Sequence, residues 1–167
     1  GLEPPTLWFE VLAIDKNKSN LNHAKKSKII IGSSEKILDS KKLFVIVALP
    51  PKVFLKRFDE YLDIFYKADF VTDCTSVKDS LLKKIKRNNL ESKFILSHPI
   101  AGSEKSGFQN SNENLFKDKI SIISKHKGLA NSDLQKCREF WYELGSKTQS
   151  LDPKQHDKIF SLTSHLP

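Results

Sequence analysis

The sequence predicts an α/β fold in which helices cover both faces of a mainly parallel, doubly wound sheet. Short apolar runs alternate along the chain with stretches of helical periodicity, which is the pattern of strands joined by crossover helices. The apolar runs are continuous rather than alternating, as expected of strands buried on both faces. The 167 residues, 38% of them hydrophobic and eleven of them Phe, are enough to form one domain with a substantial core.

The predicted strands end at residues that turn the chain. The clearest strand, Leu43 to Leu49, ends at Pro50 and Pro51, and a proline at position 51 suits the first turn of a helix. The other strands are expected at residues 10–14, 70–72, 94–96, 120–123 and 147–151.

The helices are predicted from apolar residues that recur every three or four positions. The three stripes are Phe54, Phe58, Tyr61, Leu62 and Phe65; Val77, Leu81 and Ile85; and Leu134, Cys137, Trp141 and Leu144. Ser76, with Asp79 three residues later, is placed to cap the second helix, and Gly145 is placed to end the third. Residues 16–28 form helix or loop, and another helix begins near Asp152–Pro153.

Composition restricts the classes of function. The net charge is +8, but the lysines are interleaved with acidic residues, so we expect solvated helix faces and no nucleic-acid partner. No apolar run is long enough to span a membrane and no secretory leader is recognisable, so we expect no membrane partner. Cys74 and Cys137 are too few for a disulfide framework or a zinc site, and a reducing cytoplasm is the expected compartment.

Asp15, at the end of the first predicted strand, is a candidate cofactor ligand. An acidic residue at this place in a dinucleotide-binding sheet accepts hydrogen bonds from the adenosine ribose, although a helix cap or a solvated strand end would use the same residue type. A carboxylate favours NAD, whereas Lys16 and Lys18 would attract the 2′-phosphate of NADP, so NADP stays open. No glycine-rich turn precedes Asp15, although binding of a pyrophosphate at a helix start calls for one.

The stretch HPIAGSEKSG at residues 98–107 is the most informative part of the sequence. It follows a predicted buried strand, and polar loops at strand ends hold catalytic groups on a rigid support. Pro99 favours an extended backbone at His98, which holds the imidazole at the end of the strand, where it can accept a proton near neutral pH. A structural histidine in a plain surface loop is the alternative. Ser76 is likewise expected at a sheet edge, either as a site residue or as a helix cap alone.

Together these residues resemble the prephenate and arogenate dehydrogenases of tyrosine biosynthesis. The resemblance extends from about Glu10 to Pro167, and the 98–107 loop is its most specific part. The other matching segments are Phe44 to Pro51, Asp73 to Lys78, Leu115–Phe116, the helix of Trp141, Asp152–Pro153, His156–Asp157 and SHLP at 164–167. The resemblance implies a Rossmann-like nucleotide-binding domain over residues 1–152, incomplete at its N-terminus, and the beginning of a helical dimerisation domain over residues 153–167.

The resemblance also implies the reaction, an oxidative decarboxylation of prephenate or arogenate with hydride transfer to NAD or NADP. By matching position, His98 would be the base that accepts the proton of the substrate hydroxyl, and Ser76 would orient His98 and the nicotinamide end of the cofactor. The implied substrate-binding residues are Ser103, Glu104, Ser164 and His165, and the implied cofactor-binding residues are Asp15, Pro50, Ser76 and Lys78, with no metal.

The sequence departs from this family where the glycine-rich turn and most of the helical domain are expected. We therefore expect the chain to be part of a longer, homodimeric enzyme and to be inactive alone. Two other functions stay open: another nicotinamide-dependent hydroxyacid dehydrogenase, against which the His-Pro-x-x-Gly loop argues, and a non-catalytic module that binds nucleotides or polyanions through its positive charge. The sequence does not distinguish prephenate from arogenate.

Overall fold

A computed structural model describes residues 11–28, 30, 42–102 and 107–163. The chain divides into two compact units, the smaller formed by residues 1–41 and 103–111 and the larger by residues 42–102 and 112–167. The smaller unit contains one helix and a short 3₁₀ turn among its described residues, and the larger unit contains the sheet and the other described helices. Each unit is described separately below.

The described elements follow the alternation predicted from the sequence. The helices are α1 (Lys18–Lys26), α2 (Pro51–Arg57), α3 (Leu62–Lys67), α4 (Asp79–Arg87), α5 (Asn131–Glu143) and α6 (Pro153–Thr163). The strands are β1 (Phe44–Val47), β2 (Phe70–Asp73), β3 (Phe94–Pro99), β4 (Ile120–Ser124) and β5 (Lys147–Ser150). One 3₁₀ turn, Phe58–Tyr61, joins α2 to α3, and a second one spans Phe108–Asn110.

The five strands form one sheet in the order of the sequence. β1, β2 and β3 are parallel, β4 is antiparallel to β3, and β5 is parallel to β4. The carboxyl ends of the first three strands therefore lie at one edge of the sheet, where ligands bind in parallel α/β folds. The predicted Rossmann-like, mainly parallel sheet is confirmed, with the reversal at β4 as the exception.

Helices cover both faces of the sheet, and each face has its own core. The first core packs α2, α3 and α4 on the sheet and includes Phe54, Phe58, Phe65, Leu81, Ile85, Phe94 and Leu96. The second core lies under α5 and includes Ile95, Ile123, Leu134, Cys137 and Trp141. Because side chains alternate along a strand, Ile95 faces the second core while its two neighbours face the first. The predicted helical stripes are thus confirmed, except that Leu144 is 39% exposed and Val77 precedes its helix.

The first two predicted strands differ from expectation. β1 is not buried on both faces, because Phe44 and Ile46 are 42% and 45% exposed while Val47 is buried. Among the described strands β1 pairs only with β2, so it lies at an edge and its side chains alternate between core and solvent. In the strand expected at residues 10–14, Glu10 lies outside the described residues, and only Leu12 of the others forms a bridge.

No helix among the described residues combines the length and the apolar composition that crossing a membrane requires.

Gly145 ends α5 in a backbone conformation that disfavours other residues. Its φ is +84°, and a Cβ atom at this position would lie 3.2 Å from Cα of Lys117. We expect Gly145→Ala to lower the free energy of unfolding by about 1–3 kcal/mol, measured by urea denaturation. Gly102→Ala is the control, because no atom of the described residues, apart from its chain neighbours, lies within 4 Å of its Cβ position. Equal stability of the two variants would contradict a steric requirement for glycine at the end of α5.

Candidate functional site

The candidate site is built on a buried ion pair at the carboxyl end of β2. Nζ of Lys78 lies 2.5 Å from Oδ2 of Asp73, and both side chains are fully buried. The ammonium also donates to the carbonyl oxygen of Ser97 at 2.5 Å and to Oγ1 of Thr75 at 3.3 Å. Burial lowers the pKa of Lys78 from its ordinary value, and the Asp73 carboxylate opposes that shift. All three donors of the ammonium therefore have partners inside the protein.

The ion pair and its neighbours fix the residue that precedes His98. Oδ1 of Asp73 accepts from the backbone N–H of Ser97 at 3.0 Å, while Lys78 binds the carbonyl of the same residue. The Ser97 hydroxyl lies 2.8 Å from Oγ1 of Thr72 and accepts from Nε1 of Trp141 at 3.1 Å. The backbone and the side chain of Ser97 are thus both held, so the position of His98 at the end of β3 is strongly determined.

The imidazole of His98 is the first of a chain of three polar side chains. Its Nδ1 lies 2.8 Å from Nε2 of His156, and Nδ1 of His156 lies 2.8 Å from Oδ1 of Asp157. The Phe160 ring packs against both imidazoles, with ring centroids 4.9 Å from that of His98 and 4.6 Å from that of His156. His156 is completely buried, whereas His98 is partly exposed. The chain of contacts therefore ends at the one imidazole of the pair that solvent can reach.

Asp157 also caps α4. Its carboxylate accepts from the backbone N–H of Lys78 at 2.8 Å and from that of Asp79 at 2.9 Å. These N–H groups lie at the positive end of a helix and have no partner within it, so a carboxylate is well suited to bind them. The prediction that Ser76 caps this helix is wrong, because α4 begins at Asp79 without a cap from its own segment. The cap comes instead from α6.

The pKa values of His98 and His156 are both lowered, so both imidazoles favour the neutral form at pH 7. Burial is the main cause of a lowered pKa at His98, which falls to about 4, and the charge of Lys78 contributes in the same direction. Burial also lowers the pKa of His156 from its ordinary value, although its hydrogen bond to Asp157 opposes the shift. The partly exposed imidazole of His98 is consequently available as a proton acceptor at neutral pH.

The lowered pKa values predict that stability falls in mild acid. Between a folded-state pKa of about 4 and the ordinary value of 6.5, the unfolded chain binds more protons at His98 than the folded chain does. Lowering the pH through this window therefore favours unfolding. We expect the free energy of unfolding in urea to decrease between about pH 7 and pH 5, and to decrease less in His98→Asn. His23→Asn, which changes an exposed histidine of α1, is the control, and equal pH dependence of both variants would contradict this explanation.

Described residues of the larger unit line two cavities of similar size. The first, of about 390 Å³, is lined by Ile100, Asp118, Lys119, Ile120, Ile122, Gln149 and Phe160. Phe160 lines this mainly apolar cavity and also packs on His98. The size of the cavity is typical of small-molecule sites. The second, also about 390 Å³, has a cationic lining that includes Lys83, Lys86, Lys125, Lys127 and Lys154.

The structure places three predicted site residues near the edge where β1 and β2 end. Pro50 and Ser76 are exposed there, but no hydrogen bond joins Ser76 to His98 in the described part of the chain. The orienting contact of His98 is made by His156 instead. The side chain of Lys78 faces the interior, and a cofactor contact through its ammonium would require its internal bonds to break. The cofactor roles of all three residues stay predictions.

The predicted site residues other than His98, Pro50, Ser76 and Lys78 belong to the smaller unit or lie outside the described residues. Asp15 belongs to the smaller unit, where its carboxylate is exposed and accepts from the backbone N–H of Asn17 at 2.8 Å. Asn17, rather than Asp15, caps α1, and a ribose contact of Asp15 stays a prediction. The four predicted substrate-binding residues, Ser103, Glu104, Ser164 and His165, lie outside the described residues. No group of three or more His, Cys, Asp or Glu suited to a metal occurs among the residues that the structure describes.

Sequence reasoning assigned no role to His156 or Asp157, and it did not foresee the ion pair of Asp73. The sequence of α6 does contain a signal for His156 and Asp157. Pro153, His156 and Phe160 share the helical face that packs against the rest of the larger unit. A histidine within such a buried stripe needs a polar partner, and its neighbour Asp157 supplies one.

Comparison with solved structures identifies dehydrogenases that share the fold of this chain. Prephenate dehydrogenase from Aquifex aeolicus, in complex with hydroxyphenyl propionate and NAD⁺, matches with a TM-score of 0.84 and 28% identity, over 96% of this chain and 57% of that one. Arogenate dehydrogenase from Synechocystis shares the fold, with a TM-score of 0.80 and 20% identity over 93% of this chain and 56% of that one.

Sequence comparison defines the family. The prephenate dehydrogenase of Lactococcus lactis subsp. cremoris is 29% identical over 171 residues, which is 100% of this chain and 46% of that protein. A cyclohexadienyl dehydrogenase from Zymomonas mobilis is 30% identical over 97 residues, covering 58% of this chain and 33% of that protein. The family model described as prephenate dehydrogenase, nucleotide-binding domain, matches residues 8–150, so the chain belongs to that family. It spans about half the length, or less, of these relatives.

Proposed function

We propose that this chain supplies the nucleotide-binding domain and the catalytic base of an NAD-dependent prephenate dehydrogenase. The observation that carries the proposal is the position of His98 at the carboxyl edge of a mainly parallel sheet. Its imidazole is neutral and partly exposed, and it packs against Phe160, which lines an apolar cavity. Membership of the prephenate dehydrogenase family supports the same function, as does the structural relative whose complex contains NAD⁺ and hydroxyphenyl propionate.

The described residues fit a nicotinamide cofactor at the edge formed by β1, β2 and β3. Pro50 and Ser76 are exposed where the first two strands end, so the Ser76 hydroxyl is free to bind the nicotinamide end of the cofactor. The family resemblance, rather than this edge of the sheet, implies that Asp15 would bind the adenosine ribose. NAD⁺, when bound, accepts a hydride from the substrate carbon that bears the hydroxyl group. NADP stays open because Lys16 and Lys18 follow Asp15.

His98 moves one proton in the proposed reaction. As the hydride leaves, the hydroxyl oxygen loses its proton to the imidazole and the carbon–oxygen bond becomes a carbonyl. The ring carboxylate then leaves as carbon dioxide, and the electron pair of the broken carbon–carbon bond makes the ring aromatic. The phenolate oxygen recovers the proton from His98, so the imidazole ends the cycle neutral. The apolar cavity beside Phe160 would exclude water from the ring.

The finer expectations rest on the family resemblance. They are prephenate rather than arogenate as the first substrate to test, substrate contacts by Ser103, Glu104, Ser164 and His165, a cytoplasmic location, and a homodimer. We also expect the 167 residues to have little or no activity by themselves, so that any turnover is slow, since the relatives are roughly twice as long.

The test combines binding with product analysis. The ¹⁵N-labelled chain is titrated with NAD⁺ and with hydroxyphenyl propionate, and we expect the resonances of His98 and Ser76 to shift. Incubation of concentrated protein with prephenate and NAD⁺ should yield NADH, carbon dioxide and hydroxyphenylpyruvate in equal amounts. Short hydroxyacids and arogenate are the competing substrates. Absence of ligand-induced shifts at His98, or NADH formed from a hydroxyacid in place of prephenate, would overturn the proposal.

Ser76 provides a matched pair of variants for the cofactor site. Ser76→Ala should weaken NAD⁺ binding about 2- to 10-fold, the usual effect of losing one hydrogen bond. Ser80→Ala changes an exposed serine on α4 and should leave the dissociation constant unchanged. Equal affinities of the two variants would remove Ser76 from the proposed site.

One observation favours a second candidate function. The lining of the second cavity contains five lysines against the two carboxylates of Asp79 and Asp152. This excess of positive charge would suit a polyanion. This alternative predicts binding of tripolyphosphate that weakens steeply with salt, together with no response to prephenate.

A further inference from the structure

The contacts of Asp157 restrict the protonation of the histidine beside it. Its Oδ1 accepts from the backbone N–H of Lys78 at 2.8 Å and its Oδ2 from that of Asp79 at 2.9 Å. These two donors are fixed by the start of α4, so the carboxylate cannot rotate without leaving one of them unpaired. Oδ1 also lies 2.8 Å from Nδ1 of His156. Because a carboxylate only accepts hydrogen bonds, this ring nitrogen must carry a proton.

The protonation of His156 then determines that of His98. A neutral imidazole carries one proton, so the Nε2 atom of His156 is left with a lone pair. This atom lies 2.8 Å from Nδ1 of His98, and two lone pairs at that distance would repel each other. Nδ1 of His98 must therefore carry its proton. In a neutral ring the Nε2 atom of His98 is then the one without a proton.

We propose that Asp157 and His156 are positioning residues that fix His98 in its Nδ1-protonated form and so direct the Nε2 lone pair toward the substrate hydroxyl. The inference deepens the proposed function and rests on it only for the identity of that hydroxyl. His156 and Asp157 touch neither the substrate nor the cofactor in this arrangement. They act through His98, by the same logic that orients the histidine of other carboxylate–histidine pairs.

The groups that face His98 are consistent with this arrangement. Lys78 comes from the start of α4, and its charge opposes protonation of both imidazoles. His156 and Asp157 come from α6, and only the carboxylate of Asp157 favours a proton on His98. On β4 the residue paired with His98 is the apolar Ile122. When His98 accepts a proton at Nε2, its Nδ1 keeps its own proton and still donates it to Nε2 of His156. The ring therefore does not need to rotate.

The protonated nitrogens can be observed without any substrate. Long-range ¹H–¹⁵N correlation spectra of the full chain, labelled with ¹⁵N-histidine, distinguish a protonated ring nitrogen from one that carries a lone pair. At neutral pH we expect Nδ1 to be protonated and Nε2 to carry the lone pair in both His98 and His156. A protonated Nε2 in His98 would overturn the inference, whatever the protein does with prephenate.

Two variants separate positioning from packing. In His156→Phe the acceptor for Nδ1 is lost, and we expect the His98 Nε2 signal to move toward the protonated range. In Phe160→Leu the packing against both rings changes but the acceptor remains, so the His98 signals should keep their wild-type pattern. If both variants shift the signals equally, His156 acts only through packing and the inference fails. If His156→Phe does not fold, Asp157→Asn tests the same series of hydrogen bonds. We then expect His156 to lose its single protonation pattern and to show signals of both neutral forms.

The outcome is distinguishable from a failure of the proposed function. The expected spectra combined with no response to NAD⁺ or prephenate would leave the histidine arrangement standing and remove the dehydrogenase proposal. If the protein forms NADH from prephenate but His98 carries its proton on Nε2, the dehydrogenase proposal stands and the inference about the histidines fails.

Discussion

Lys78→Met is expected to lower the free energy of unfolding by about 3–5 kcal/mol, because it leaves the Asp73 carboxylate buried without its counter-charge. The side chains of both residues are fully buried, so water cannot replace the lost partner. The substitution also removes a donor from the carbonyl of Ser97, the residue that fixes the end of β3. Urea denaturation at neutral pH measures the effect, and a chain that is largely unfolded without denaturant is the extreme form of the same result.

Two further variants give this prediction its controls. Lys83→Met breaks the exposed pair of Lys83 and Asp79 on α4 and should cost less than about 1 kcal/mol, since the lysine side chain is 65% exposed. The double variant Asp73→Asn, Lys78→Met removes both charges and should recover part of the loss. A cost for Lys78→Met as small as that for Lys83→Met would show that the buried pair does not hold the strand ends.

His98→Asn is expected to slow NADH formation from prephenate by about 10²- to 10⁴-fold, the range of one general base. Asparagine preserves a polar side chain of similar reach but cannot accept a proton at neutral pH. Single-turnover measurements, with the chain in excess over NAD⁺, provide the rate even if steady-state turnover is slow. Binding of hydroxyphenyl propionate should change little, so the loss falls on the chemical step.

His23→Asn is the matched control, because it makes the same substitution at an exposed position of α1. Its rate should equal that of the wild-type chain. A rate for His98→Asn within a factor of about three of the control would assign proton transfer to another group, since a lost base costs far more.

The order of the elements could be predicted from the sequence because it depends on local periodicity. The stripe of Phe54, Phe58 and Phe65 and that of Leu134, Cys137 and Trp141 both became buried helix faces. The double burial predicted for the Phe44–Val47 strand was wrong because coverage depends on the neighbours of a strand in the sheet, and β1 lies at an edge of the described strands.

The site could be predicted only in part, for a related reason. A loop sequence and a proline were enough to single out His98 at a strand end. Its partner His156 lies 58 residues further along the chain, and no local pattern brings two imidazoles together over that separation. The expected cap from Ser76 failed similarly, because a carboxylate 78 to 79 residues away occupies the helix start.

Asp157 makes the docking of α6 and the basicity of residue 98 thermodynamically linked quantities. Any event that shifts α6 away from the start of α4 alters the affinity of that imidazole for hydrogen ions, and by reciprocity a change of ionisation there alters how firmly α6 is held. A change in the docking of α6 therefore alters the acid–base behaviour of His98 without any new contact to that residue.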